Sequence, residues 1–88
     1  MFDLGQLVAT PGALDALARN QQTPLEFLQR HINHDWGDVD NENKLENDYS
    51  VTRGLRILSA YTLKDETRIW VITEADRSVT TILLPSEY

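Results

Sequence analysis

Cysteine is missing from all 88 residues. Its absence excludes a disulfide framework and any thiolate metal site, and it fits a reducing, cytoplasmic compartment. Long apolar runs are also missing. Nothing approaches 18 consecutive apolar residues, so no segment is expected to span a membrane. The first residues lack the basic region and apolar stretch of a signal peptide. Glycine is scarce, at four residues, and none sits in a phosphate-binding loop. A Ser-centred nucleophile elbow and a cofactor fingerprint are absent too, so no cofactor is expected. Positive charge is the last shortage. Eight Lys and Arg stand against fourteen Asp and Glu, for a net charge of −6. Phosphate backbones attract basic surfaces, which argues against non-specific nucleic-acid binding.

What is present suits one small globular domain, residues 1–88. The chain is 41% hydrophobic and 25% charged, which is too apolar for disorder. A chain of this length supports one modest core and a radius of gyration of about 12 Å. The negative charge is concentrated. Between residues 35 and 48, Asp35, Asp38, Asp40, Glu42, Glu46 and Asp48 face Lys44 alone. Solubility is the ordinary role of such a stretch. A basic partner protein or a cation is the functional one.

The pattern predicts an α+β fold. Gln6–Thr10 reads as an extended segment able to join a sheet edge. Thr10-Pro11 signals a helix start. With Leu14 and Leu17 on one face, it gives a helix at about 11–19. Thr23-Pro24-Leu25-Glu26 has the form of a capping box with Pro at the first helical position. Leu25, Leu28 and Ile32 then carry a second helix over about 24–33. A third helix is expected near 41–52, capped by Asp40 and ended by Gly54, with Leu45 and Tyr49 on one face. Arg56–Leu63, Thr67–Thr73 and Ser78–Leu84 read as a three-stranded antiparallel meander. A two-residue turn at Asp65-Glu66 would set Tyr61 opposite Trp70 and Ser59 opposite Ile72. That face, with Trp70 and Ile72, is expected to meet the helices.

The junction Arg30–Asp38 holds both histidines and one of the two tryptophans. Trp36 is too large to leave wet, and it is expected either to cover the helix pair or to wall a ligand site. His31, His34, Asp35 and Asp38 could share a metal only if the helix ran on to Asp35, and the expectation is no metal site. A metal-free nuclease needs an acid–base group with cationic and hydroxyl donors around a phosphoryl group. His31, Arg77, Ser78, Thr80 and Thr81 form the group with that chemistry. Thr80 and Thr81 point to opposite strand faces, so at most one belongs. The plain alternative is that Asp76 and Arg77 form a solvated turn pair and that the threonines serve strand propensity.

The blocks Leu4–Leu14, Arg30-His31, Asp35-Trp36-Gly37, Arg56–Tyr61, Ile69–Ser78 and Thr80–Pro85 with Glu87-Tyr88 resemble a family of small bacterial proteins, often described as plasmid-related. Some members are labelled as type I restriction enzyme modification subunits. The resemblance covers nearly the whole chain. It implies a bacterial, plasmid-associated setting and supplies no substrate or partner. The family pattern has glycine where this chain has His34, which implies a turn position there. His31, Asp35, Trp36, Arg77, Ser78 and Thr81 are the residues it leaves to test.

Three functions follow, in this order. The first is a non-catalytic binding or regulatory protein that meets a protein partner through Asp35, Trp36, Asp38, Asp40 and Glu42. The second is a small metal-independent ribonuclease-like enzyme using His31, Arg77 and a strand hydroxyl of Ser78 or Thr81. The third is a homodimerising structural domain with an unpaired strand edge or the Trp70 face as its interface.

Overall fold

Two Thr-Pro steps start the first two helices. The computed structural model describes residues 2–88. Strand β1 (Gln6–Ala9) leads into helices α1 (Pro11–Arg19), α2 (Pro24–Ile32) and α3 (Asn41–Arg53). Strands β2 (Ile57–Thr62), β3 (Arg68–Thr73) and β4 (Val79–Leu83) follow, then a short 3-10 turn at Pro85–Glu87. The Thr10 hydroxyl caps α1 by accepting from the Ala13 N–H at 3.2 Å. Thr23 makes no such bond. The expected capping box does not form, and the Glu26 carboxylate accepts instead from the Gln22 amide at 3.1 Å. Asp40 caps α3 through the Asn43 N–H at 2.8 Å. Gly54 ends that helix in the left-handed region at φ 67°.

The result is a small α+β domain in which three helices pack against a four-stranded mixed sheet of order β1-β4-β3-β2. β2, β3 and β4 form the expected antiparallel meander, and β1 lies parallel to β4 at one edge. The Cα radius of gyration is 12.1 Å. α1 packs on β4, α2 on β3 and α3 on β2. The main core joins Ala13, Ala16, Leu17, Phe27 and Leu28 to Tyr61, Leu63, Ile69, Val71 and Ile82. A second cluster joins Phe2, Trp36 and Ile57, with Val39 and Val51 against it.

The β2–β3 register differs from expectation by one residue. The Leu63 N–H donates to the Thr67 carbonyl at 2.8 Å, and the Glu66 N–H to the Leu63 carbonyl at 2.9 Å. Three residues, Lys64 to Glu66, therefore fill the turn, with Glu66 left-handed at φ 72°. Tyr61 pairs with Ile69, Ser59 with Val71 and Ile57 with Thr73. A one-residue slip exchanges the two faces of a strand. The face carrying Ser59, Tyr61, Ile69, Val71 and Thr73 meets the helices. Trp70 and Ile72 lie on the opposite face, where the Trp70 ring meets Tyr88 edge-on at 5.6 Å.

Helix faces differ as well. Leu14, Leu25, Leu45 and Tyr49 are exposed. α1 buries Ala13, Ala16 and Leu17, α2 buries Phe27, Leu28 and His31, and α3 buries Asn47 and Ser50.

The β2 edge is closed by side chains and a loop. The Asn47 amide donates to the Leu58 carbonyl at 2.7 Å and accepts from the Leu58 N–H at 3.2 Å. One residue pair further on, Ala60 donates to the Trp36 carbonyl at 3.1 Å and accepts from the Asp38 N–H at 2.6 Å. This close approach requires Gly37, which sits at φ 73° and whose missing Cβ would run into the Ala60 carbonyl. Asn47→Ala is expected to lower stability by about 1–3 kcal/mol, because it strands two edge groups at a buried position. Urea unfolding measures that cost. Hydrogen exchange at the Leu58 amide should accelerate, and unchanged exchange there would show that Asn47 does not close the edge.

Candidate functional site

His31 takes a place on the buried face of α2 that an aliphatic residue would ordinarily fill. It is fully buried, as are Ser59, Thr73 and Thr80. Burial demands a partner for each polar atom, and the sheet supplies them. His31 Nδ1 lies 2.5 Å from the Ser59 hydroxyl, and Nε2 lies 2.9 Å from the Thr73 hydroxyl. Thr73 and Thr80 stand opposite each other in the β3–β4 ladder, with their hydroxyls 2.7 Å apart. The Thr80 hydroxyl donates to the Leu4 carbonyl at 2.7 Å.

For a neutral ring, one arrangement of protons satisfies every bond. A carbonyl only accepts, so Thr80 donates to Leu4. Thr80 then accepts from Thr73, and Thr73 accepts from the Nε2–H of His31. Nδ1 is left as an acceptor, and Ser59 donates to it. The imidazole is neutral, with its proton on Nε2. Its pKa agrees in direction. Burial, then the charges of His34 and Arg77, push it down from 6.5 to about 4.

A ring of aromatics surrounds this group. Phe2 meets His31 edge-on at 5.3 Å, and Trp36 does so at 5.7 Å. His34 stacks on Trp36 at 5.1 Å. The backbone of His34 is left-handed, at φ 65°, a turn geometry that glycine adopts without strain. The Tyr61 hydroxyl is pushed up to about 12 by burial and donates to the Asp35 carbonyl at 2.7 Å. Arg77 lies beyond Phe2, its guanidinium 5.7 Å from the ring centre. Phe2 and Arg77 line an open cavity of about 570 Å³ with Asp3, Leu4, Gly5 and Ile32.

The sequence candidates thus divide. His31 and Arg77 both lie against Phe2, at 5.3 and 5.7 Å from its ring centre. Thr81 lies on the far face of β4, paired with Ile72, and strand alternation puts Thr80 at the site instead. Ser78 is exposed and serves the turn, its N–H donating to the Asp76 carboxylate at 3.0 Å. Asp76 and Arg77 do not pair. Arg77 donates to the Leu55, Glu74 and Ala75 carbonyls through one nitrogen and to Ser50 through the other. It thereby ties the end of α3 to the β3–β4 turn.

The acidic connector is largely occupied by local bonds. Asp35 pairs with Arg30 at 2.7 Å, and this bond holds its carboxyl below the usual range. Trp36 is buried against His31 of α2, and its indole donates to Asp48 at 3.0 Å. Asp38 accepts from the Thr62 hydroxyl at 2.7 Å. Asp40 is the cap of α3, and Glu42 is exposed in its first turn. Among the described residues, no three His, Asp or Glu side chains lie close enough to hold one metal ion. Phe2, Ser59 and Thr73 escaped the sequence reading. Ser59 stood on the expected helix-facing side of β2 with no feature marking it for a role, whereas Thr73, two residues beyond Val71, was concealed by the one-residue register difference.

Comparison with protein-family models, curated proteins and solved structures gives no match for this chain. The fold and site define a small α+β domain built around a buried His–Ser–Thr hydrogen-bond network.

A depressed histidine pKa stabilises the fold only while the ring is neutral. The contribution is complete above the unfolded value of 6.5 and is lost as pH falls through about 4. Between pH 7.5 and 5, stability should fall by about 2 kcal/mol from this group alone. His31→Gln should be less stable at pH 7.5 and should lose most of that dependence in urea titrations. An unchanged slope would show that His31 does not titrate between the two states.

Proposed function

We propose that the protein is a small metal-independent, ribonuclease-like enzyme. His31 is its base, Ser59 is the hydroxyl that couples the base to substrate, and Arg77 is the cation for the phosphoryl oxygens. One observation carries this: the imidazole and the guanidinium lie 5.3 and 5.7 Å from the centre of a single ring, Phe2, which lines an open cavity with Arg77. Nδ1 holds the lone pair of this tautomer, and Ser59 is bonded to it. The ribose 2′-hydroxyl passes its proton through Ser59 to Nδ1 while the 2′-oxygen bonds to phosphorus. The bond from phosphorus to the 5′-oxygen breaks, that oxygen leaves with a proton from water, the hydroxide so formed takes back the proton held at Nδ1, and a 2′,3′-cyclic phosphate remains.

The mechanism requires Phe2 to move, because His31 is sealed from solvent while Phe2 is in place. Movement would act twice. It opens the path from the cavity, and it removes the burial that depresses the His31 pKa, restoring a base suited to neutral pH. RNA cleavage in excess chelator tests this. Phe2→Ala, with Phe2→Leu as the milder variant should alanine unfold the chain, is expected to raise the rate. Adding His31→Gln should then lower it roughly 10²-fold. Folded Phe2 variants that yield no cyclic phosphate would overturn the proposal.

A second reading, binding to a protein partner, is supported by α3. This helix buries the polar Asn47 and Ser50 yet exposes Leu45 and Tyr49 one turn apart, at 70% and 53%, beside Glu42 and Glu46. A partner lost on Leu45→Ser, with no cleavage by any Phe2 variant, would favour it.

A further inference from the structure

We infer that β1 is the interface for a second copy of this chain, paired antiparallel across a two-fold axis at Val8. The two sheet edges differ sharply. At β2, Leu58 is bonded by Asn47 and Ala60 by the Trp36–Asp38 loop. At β1, the Gln6 N–H donates inward to Ser78 at 2.9 Å and the Thr10 N–H to Ile82 at 3.0 Å. Strand alternation then turns the N–H and C=O of Leu7 and Ala9 away from the sheet. Gln6–Ala9 carries no charge and no proline, and among the described residues no side chain bonds to its outward backbone groups, although these are the usual protections of an edge. Leu7 and Val8 are instead exposed at 55% and 42%.

A second copy fits this edge for two reasons. First, the free groups are symmetric about Val8. In an antiparallel pair centred there, Leu7 of each copy exchanges both backbone bonds with Ala9 of the other, and all the outward groups of the strand are used. Val8 meets its own copy as the closer, non-hydrogen-bonded pair. Second, the shapes complement each other. Leu7 and Ala9 lie on the helix side, in register with Thr80 and Ile82. A largely apolar groove of about 190 Å³ runs there between Pro24, Leu28 and Ile82. The partner's Leu7 would stand beside the small Ala9 and enter that groove. The segment is also uncharged, so two chains of net charge −6 meet where neither carries a charged side chain. The pairing extends the four-stranded sheet to eight strands and is independent of the chemistry at His31.

Sedimentation of the full chain tests this. Wild type should be dimeric at roughly 0.1 mM and dissociate on dilution. Leu7→Pro removes one outward N–H per copy and leaves the bonds to β4 intact. It should weaken the dimer at least about tenfold while far-ultraviolet circular dichroism is unchanged. Leu7→Lys, at an exposed side chain, gives the same readout should proline disturb the strand. Val8→Cys should link two copies on oxidation, since non-hydrogen-bonded pairs bring Cα atoms to about 4.5 Å and the chain has no other cysteine. A wild-type monomer at millimolar concentration would overturn the inference, as would a dimer untouched by both Leu7 variants. A monomer that instead binds an added extended peptide along β1 would overturn it too.

Discussion

The hydrogen-bond chain through His31 is the constraint on which the remaining structure depends. An imidazole with no solvent contact must find partners for both nitrogens or cost several kcal/mol. Here it finds them on β2 and β3, and the chain continues through β4 to the backbone at Leu4. Four separate segments are fixed relative to α2 by five groups. Apolar packing alone would tolerate sliding, since Val71, Ile69 and Ile82 offer similar surfaces. The hydroxyls do not, because a one-residue slip of any strand removes its member from the chain. The network therefore fixes register more than it adds stability. Every buried side-chain nitrogen and oxygen among the described residues has a partner.

The same economy governs the periphery. Arg77 gathers four carbonyls from the last turn of α3, the segment leading into β2 and the β3–β4 turn. It places positive charge at a helix C-terminus, where the dipole favours it. Glu87 accepts from the Thr10 hydroxyl and from the N–H groups of Gly12 and Leu84. That joins the start of α1 to the last turn of the described chain. The acids of the connector are likewise engaged. Asp35, Asp38, Asp40 and Asp48 each hold a local donor, so most of the apparent acidic surface is a set of caps and ties. The exposed remainder is Glu42 and Glu46 beside Leu45 and Tyr49.

Much of the fold was legible in the sequence. Thr10-Pro11, Thr23-Pro24, Asp40 and Gly54 marked helix ends to within a residue, because capping is local chemistry. β-branched runs marked the strands for the same reason. The faces were less legible. Leu14, Leu25, Leu45 and Tyr49 look like core residues by spacing and are exposed, since a helix of nine to thirteen residues can turn either of two adjacent stripes inward. The Asp65-Glu66 turn held one residue more than the shortest hairpin, and that reversed the sheet. Thr73 then moved inward and Trp70 moved out, while Ser59 kept its expected face. Of the candidate residues, His31 and Arg77 stand out in the sequence because their chemistry is distinctive, and the structure places both beside Phe2. Thr81 was chosen over Thr80 because nothing local distinguishes two successive threonines, and only the sheet decides which one faces the helices.

The tautomer of His31 tests the central claim most directly. Long-range proton–nitrogen correlation spectra of the imidazole distinguish Nε2–H, Nδ1–H and the doubly protonated ring. The account predicts the neutral Nε2–H form at pH 7, persisting unchanged to about pH 5, with protonation near 4. An Nδ1–H ring would reverse the bond to Ser59 and break the chain to Leu4. Protonation near 6.5 would show that the ring meets water. Either result would contradict a sealed, one-directional network as the organising element of this fold.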